Sequence, residues 1–482
     1  MKSFNTSRCW VVILLAIPLL LSLLFFHTLI RPDSVLFHTD SNVGINVMIK
    51  QHLPDAFLGF WNDSVLLGTK DIFALTVNNA LLWVFPAHCF TNWIHAIYLT
   101  GASFFLLLYF RAKGLSVHSG LIGMLAAFWL ASTFTLVYPG HHGKFGNIFF
   151  AAIVLWCIAG AVKGSRPTAW ALLAGGALGQ MFVEQQDMAF FFACVLGPYA
   201  LFAVWNEYGW NWKAGTRIIM PLIIVAALFA VPAAWVGYNT AVRGVASMER
   251  ENDAEKWDFC TQWSWPPEES IDFIAPGYMG WRSGEPAGPY WGRMGRSAGW
   301  EQTRQGFQNF KLENQYLGAI PLALALFAVL MAALMRGDVR EYGSNGIRKC
   351  RSKNVQGKKN SEMQSCSDTP ICPHPDTPTH PHTLTFTRAE IIFWGCAALV
   401  TLLLAFGKYF PLYYLFYQLP AVSSIRNPNK FLQVFQLAAA ILAAYGFELA
   451  ISTRTNDAME KQGKENTLSR AGAQGRKGGK QN

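Results

Sequence analysis

The sequence predicts an all-α polytopic membrane protein of about ten transmembrane helices carrying a small extracytoplasmic cap. Three observations predict it. Only 14% of the 482 residues are charged, against about 25% in ordinary soluble domains, while 52% are hydrophobic. The apolar residues gather into runs close to the roughly 20 residues that a helix needs to cross hydrocarbon. Lys and Arg are concentrated in alternate links between those runs, the pattern that orients helices in a bilayer.

The first run, Cys9 to Ile30, follows Lys2 and Arg8 and exits through Ile30-Arg31-Pro32. At about 22 residues it exceeds the roughly 7–15-residue core of a secretory signal, so an uncleaved first span is expected. Runs 90–110, 115–137, 146–163, 168–184, 188–205, 217–237, 316–335, 390–407 and 430–451 complete the count. The stretch 72–88 holds Asn78, Asn79 and Pro86, and reads as re-entrant, interfacial or a further span. The chain divides into a membrane region 1–335 with external loop 31–71 and external cap 238–315, a disordered cytoplasmic linker 336–388, membrane helices 389–451, and a basic cytoplasmic tail 452–482.

Charge sets the direction. With the N-terminus inside, cytoplasmic links hold Arg111 and Lys113, Lys163 and Arg166, then Lys213 and Arg217. Residues 336–388 carry nine Lys or Arg against five acids, whereas 238–315 carry eight against eleven, so both termini are expected in the cytoplasm. The net charge of +10 is thereby explained by orientation, without nucleic acid as a partner. The partner is the lipid bilayer. The nine cysteines show no pairing framework, and Cys260 alone falls in the cap segment. Cys366, Cys372, His374, His380 and His382 lie among Pro and Thr and read as linker. No metal ligand set emerges, and the cofactor is unknown.

Five polar groups interrupt the apolar pattern on the outer side. Asp40, just beyond the first span, is either a general base towards an acceptor hydroxyl or a solvated loop acid or helix cap. Tyr138-Pro139-Gly140-His141-His142-Gly143-Lys144 is either an interfacial turn or a phosphate site built on His141, His142, Lys144 and glycine amides. Adjacent histidines point apart on most backbones, so a two-ligand metal site is not implied. Glu184 and Asp187 sit between closely spaced runs, where an acid either reaches external water or serves a function. The Trp-rich stretch 262–292 suits either sugar stacking or anchorage of the cap, and Pro266-Pro267-Glu268-Glu269 reads as a helix start. Arg426, Asn427 and Lys430 precede the last span and either meet a lipid phosphate or snorkel. A transporter, a lipid flippase and a noncatalytic envelope scaffold remain alternatives, although no internal repeat is visible.

Several of these motifs together resemble the YfhO-type bacterial membrane proteins, which are similar to polytopic glycosyltransferases of the GT-C class. The resemblance covers most of 1–451. It rests on the Asp40 loop with Gly59-Phe60-Trp61-Asn62-Asp63, on His141-His142-Gly143, and on Trp263-Ser264-Trp265-Pro266-Pro267-Glu268-Glu269 with Pro276-Gly277. The stretch Leu419-Pro420 through Arg426-Asn427-Pro428-Asn429-Lys430-Phe431, with the closing span to Gly446, carries it most strongly. It implies a bacterial cytoplasmic membrane protein that moves sugar from a polyprenyl-phosphate donor to an envelope glycan or lipid acceptor. It also implies that Asp40, in the first external loop, is the catalytic base.

Overall fold

No water inside a bilayer is available to pair backbone N–H and C=O groups, so an apolar run must satisfy them within its own helix. The computed structural model describes residues 6–31, 33–62, 69–71, 75–243, 253–334, 387–419 and 422–452. The expected linker up to 386 and the expected tail from 453 lie outside the described residues, as do Cys366, Cys372, His374, His380 and His382.

The chain opens with α1 (Thr6–Phe25) and a short 3-10 turn. The following loop then forms α2 (Val43–Gln51), whose first turn is capped by Asn42 accepting from the Ile45 amide at 3.2 Å. Phe60–Asn62 (β1) pairs antiparallel with Thr69–Asp71 (β2), the one hairpin among the described residues. Among the described residues of 72–88, α3 (Val77–Val84) precedes the start of the next helix at Ala87, and its eight residues are too short to be the further span that the composition allowed. Then follow α4 (Ala87–Ala112), α5 (Val117–Phe128), α6 (Ala131–Val137), α7 (His142–Lys163), α8 (Pro167–Glu184), α9 (Gln186–Tyr208) and α10 (Trp212–Arg243). The cap holds α11 (Asp253–Thr261) and α12 (Trp300–Thr303). After it come α13 (Ala319–Leu334), α14 (Arg388–Ala405), α15 (Pro411–Tyr417) and a final helix, α16, over 431–452.

Among the described residues, seven helical stretches are long and apolar enough to cross a membrane: Ala87–Ala112, Val117–Val137, His142–Lys163, Gln186–Tyr208, Trp212–Trp235, Arg388–Ala405 and Pro428–Ser452. The other three expected spans overlap α1, α8 and α13, none of which is among these seven. One expected span is not continuous. The run 115–137 breaks between α5 and α6 at Trp129 and Leu130, where Trp129 Nε1 donates to Ser103 Oγ of α4 at 2.8 Å. The last helix is the most enclosed of the seven, and nearly every residue from Phe431 to Tyr445 is buried.

Helix contact without a hydrophobic driving force depends on small residues that let backbones approach. α8 packs closely on α7 and α10. A Cβ on Gly175 would lie 2.5 Å from the Leu222 carbonyl oxygen of α10, and one on Gly179 would lie 2.7 Å from Phe229 Cβ. The cap continues the bundle's apolar core and adds a buried charge. Lys311 is fully buried, with Nζ 2.5 Å from Asp272 Oδ2 and facing the Trp265 and Tyr290 rings. Trp265 stacks on Phe273, and its amide donates to the Ala405 carbonyl at the end of α14 at 2.8 Å. From Lys311 the chain runs without helix to Gly318 and stays mostly buried, and the Asn314 amide donates to Thr135 Oγ1 of α6 at 2.8 Å.

Two substitutions probe this packing. Gly175→Val is expected to overpack the α8–α10 contact and cost about 1–3 kcal/mol, read as a lowered unfolding temperature of the detergent-solubilised protein. Lys311→Ala leaves Asp272 buried without its cation and is expected to cost about 3–5 kcal/mol by the same measurement. Wild-type unfolding temperatures would contradict the contacts described.

Candidate functional site

Several of the polar residues singled out in the sequence meet around the N-terminus of α7. Gly140 adopts a left-handed φ of 78°, and a Cβ there would fall 2.5 Å from His38 Cβ. The loop after α1 therefore lies directly on the turn before α7. Thr39 and Asp40 amides donate to the carbonyls of Tyr138 and Pro139 at 3.2 and 3.1 Å. These bonds set the Asp40 carboxylate beside His141, with Oδ2 2.8 Å from Nε2. The Asp40 side chain is 50% exposed and that of His141 35% exposed. Asp40 is not a helix cap, because Asn42 holds that position on α2.

His142 turns the opposite way from His141. Its ring meets those of His38, His95 and Phe90 at centroid distances of 5.7, 5.2 and 5.3 Å. One turn into α7, Lys144 is buried and ion-paired with Glu313 of the extended segment. Gly143 and Gly146 bring α7 against the α8–α9 turn, where Cβ atoms would meet the Glu184 carbonyl oxygen at 2.7 Å and Glu184 Cγ at 3.1 Å.

That turn distributes its side chains among four elements. Glu184 accepts from the Val77 amide at 2.7 Å and from Asn78 Nδ2 at 2.5 Å, tying α3 to α8. Asn147 of α7 donates to the Gln185 carbonyl at 3.2 Å. Gln186 donates to the Ala233 carbonyl of α10 at 2.5 Å. Asp187 accepts from the Met188 amide at 2.7 Å and pairs with Lys430. Beyond Lys430, the loop is fastened to the cap. Asn427, at a φ of 69°, donates its amide to the Cys260 carbonyl at 3.1 Å, and Asn429 donates to the Trp263 carbonyl at 3.2 Å. The Arg426 guanidinium lies 3.7 Å from the Phe259 ring centroid and 4.9 Å from that of Trp263.

The structure thus brings Asp40 to His141, and Asp187 to Lys430, at one end of the bundle. It places Glu184 and Lys144 on either side of the same glycine contact. Arg426 and Asn427 sit against the cap. The two lysines expected as free cations for a phosphate each have a carboxylate partner, so an anion at either one competes with Glu313 or Asp187. A small cleft reaches Glu313, the partner of Lys144; Ser132, Thr133, Gln315, Gln433 and Gln436 line it together with apolar residues such as Phe128, Leu136 and Phe192. Sequence reasoning missed this lining, together with His38 and His95. The signal was available for Gln433, Gln436 and His95, polar residues inside apolar runs, where such side chains are costly without a purpose.

Burial and the nearby Lys144 ammonium hold the His141 imidazole below its usual 6.5, against the opposing pull of Asp40. At neutral pH the ring is then an uncharged donor to the carboxylate. No family model, curated protein or solved structure matches the chain.

A proton resonance titration of the histidine rings checks this state. His141 is expected to remain mostly neutral at pH 6.5, whereas a midpoint at or above that value would contradict the burial described. The sign follows from linkage: the unfolded chain binds more protons here than the folded one. The contribution to stability is complete above the unfolded value and is lost as pH falls through the lower folded one.

Proposed function

We propose that the chain is a ten-span, GT-C-like glycosyltransferase of the bacterial cytoplasmic membrane. It transfers a sugar from a polyprenyl-phosphate donor to an envelope glycan or lipid acceptor on the extracytoplasmic side. The observation that carries this reading is the Asp40–His141 pair: a half-exposed carboxylate, fixed by two backbone bonds, hydrogen-bonded to a neutral imidazole. A general base needs an accessible lone pair and a fixed direction, and this arrangement supplies both.

In this reaction Asp40 takes the proton of the acceptor hydroxyl as its oxygen attacks the anomeric carbon. The bond to the donor phosphate breaks on the opposite face, inverting the anomeric centre, and polyprenyl phosphate leaves with the bonding electrons. His141 orients Asp40 through Nε2. Arg426 and Lys430 take the donor phosphate, with Lys144 and His142 behind them, and Lys430 then shares its charge between Asp187 and a phosphate oxygen. Glu184 and Asn427 hold the walls of the site in place. The Trp-rich cap shields the exchange from water.

Asp40→Asn keeps the shape of the side chain and removes its basicity. It is expected to lower sugar transfer by about 100-fold or more. His141→Ala is expected to cost less, since it loosens the base without removing it. Labelled-sugar transfer by membranes and mass spectrometry of surface glycans provide the readout. Full transfer by Asp40→Asn at wild-type protein level, or an unchanged glycan profile after gene deletion, would remove the enzyme reading.

A further inference from the structure

We propose that His38, His95 and His142 form a three-imidazole site for a late first-row divalent cation, of which Zn2+ is the reference. The inference goes beyond sugar transfer: His38 and His95 have no part in the reaction above, and His142 stands there only behind the donor phosphate.

The three residues come from separate elements: the loop after α1, the middle of α4 and the first turn of α7. His95 and His38 are 0% and 1% exposed, and His142 is half-buried. Ring centroids lie 4.9 Å apart for His38 and His95, 5.2 Å for His95 and His142, and 5.7 Å for His38 and His142. Metal–nitrogen bonds of about 2.0–2.1 Å at tetrahedral angles place ring centres about 5 Å apart, so the observed triangle has the right size. The rings meet edge-on or tilted, at 69°, 56° and 73°.

Hydrogen bonding makes the same point. His38 Nε2, both ring nitrogens of His95 and His142 Nε2 are buried and have no hydrogen-bond partner among the described residues. Burying a polar atom unpaired costs roughly 1–3 kcal/mol, and several in one place call for a ligand. His38 also has the support that metal-binding imidazoles usually show. Its Nδ1 lies 3.1 Å from the Ser41 carbonyl, which can only accept, so Nδ1 carries the proton and Nε2 the lone pair. Imidazole nitrogens favour zinc and its neighbours over the hard cations magnesium and calcium.

As the side chains stand, no group of three His, Cys, Asp or Glu among the described residues has its donor atoms set around a metal ion. The inference therefore requires a ring to turn. A half-turn about Cβ–Cγ exchanges carbon and nitrogen positions and leaves the centroid nearly in place, so ring spacing survives where donor direction does not. Three imidazoles leave one coordination position for water or a substrate oxygen, as in zinc sites that do chemistry.

The test uses the full-length chain in detergent, purified through a tag without histidine and stripped with a chelator. Titration with Zn2+ is expected to saturate at one equivalent, and Co2+ to give the absorption of a four-coordinate nitrogen site. His95→Ala and His142→Ala are expected to weaken Zn2+ binding by about 100-fold or more, beyond the usual effect of losing an outer-shell partner. His141→Ala, facing Asp40 instead, is expected to bind within a few-fold of wild type. X-ray absorption of the zinc-loaded wild type counts imidazole ligands without any variant, and three are expected. The proposal is overturned by no saturable Zn2+ binding, by wild-type affinity in a folded His95→Ala protein, or by an absorption spectrum without imidazole scattering.

Discussion

The close approach of α7 to the α8–α9 turn governs this end of the bundle. Gly143 leaves no room for a Cβ against the Glu184 carbonyl, and one on Gly146 would press on the Glu184 side chain. Because the backbones touch there, the Glu184 carboxylate reaches the first turn of α3 and Asn147 reaches the Gln185 carbonyl. The same contact leaves Asp187 directed at Lys430, which lies more than two hundred residues further along the chain. A side chain at either glycine would separate these partners together.

Charged and hydroxyl groups fix the other end of the bundle in a comparable way. Glu390 of α14 lies 2.6 Å from Lys113 and accepts from Tyr199 at 2.8 Å and Tyr445 at 3.2 Å, while Tyr109 joins both tyrosines. Four separate stretches of sequence meet on this single carboxylate. Taking ions out of water carries a desolvation cost that a single partner rarely offsets, and the remaining hydrogen bonds make up the difference. Such networks specify which helix faces which, where apolar packing against lipid discriminates poorly.

The helical character and the seven long apolar helices were legible because run length is a one-dimensional quantity. The break inside 115–137 was not, since Trp129 and Leu130 are apolar and the Trp129 indole is held by Ser103 of another helix. The site divides along the same line. Asp40, His141 and Lys144 were visible as polar residues at the ends of apolar runs. Their partners were not, because the meeting of Lys144 with Glu313 or Lys430 with Asp187 is decided by tertiary packing. His95 meets His38 and His142 only because three separate elements of the fold bring them together.

The extended segment between Lys311 and Gly318 has a consequence for how the protein can be divided. At one end it supplies the cation at the centre of the cap, and a few residues later it supplies the acid that neutralises Lys144 within the bundle. Eight residues of backbone thus carry the charges that two parts of one core depend on. A cap excised before this strand would lose its central charge, and one excised after it would carry a stranded carboxylate and uncovered apolar side chains. The two parts fold as neighbours that share a wall, and grafting either onto another scaffold would require taking the wall along.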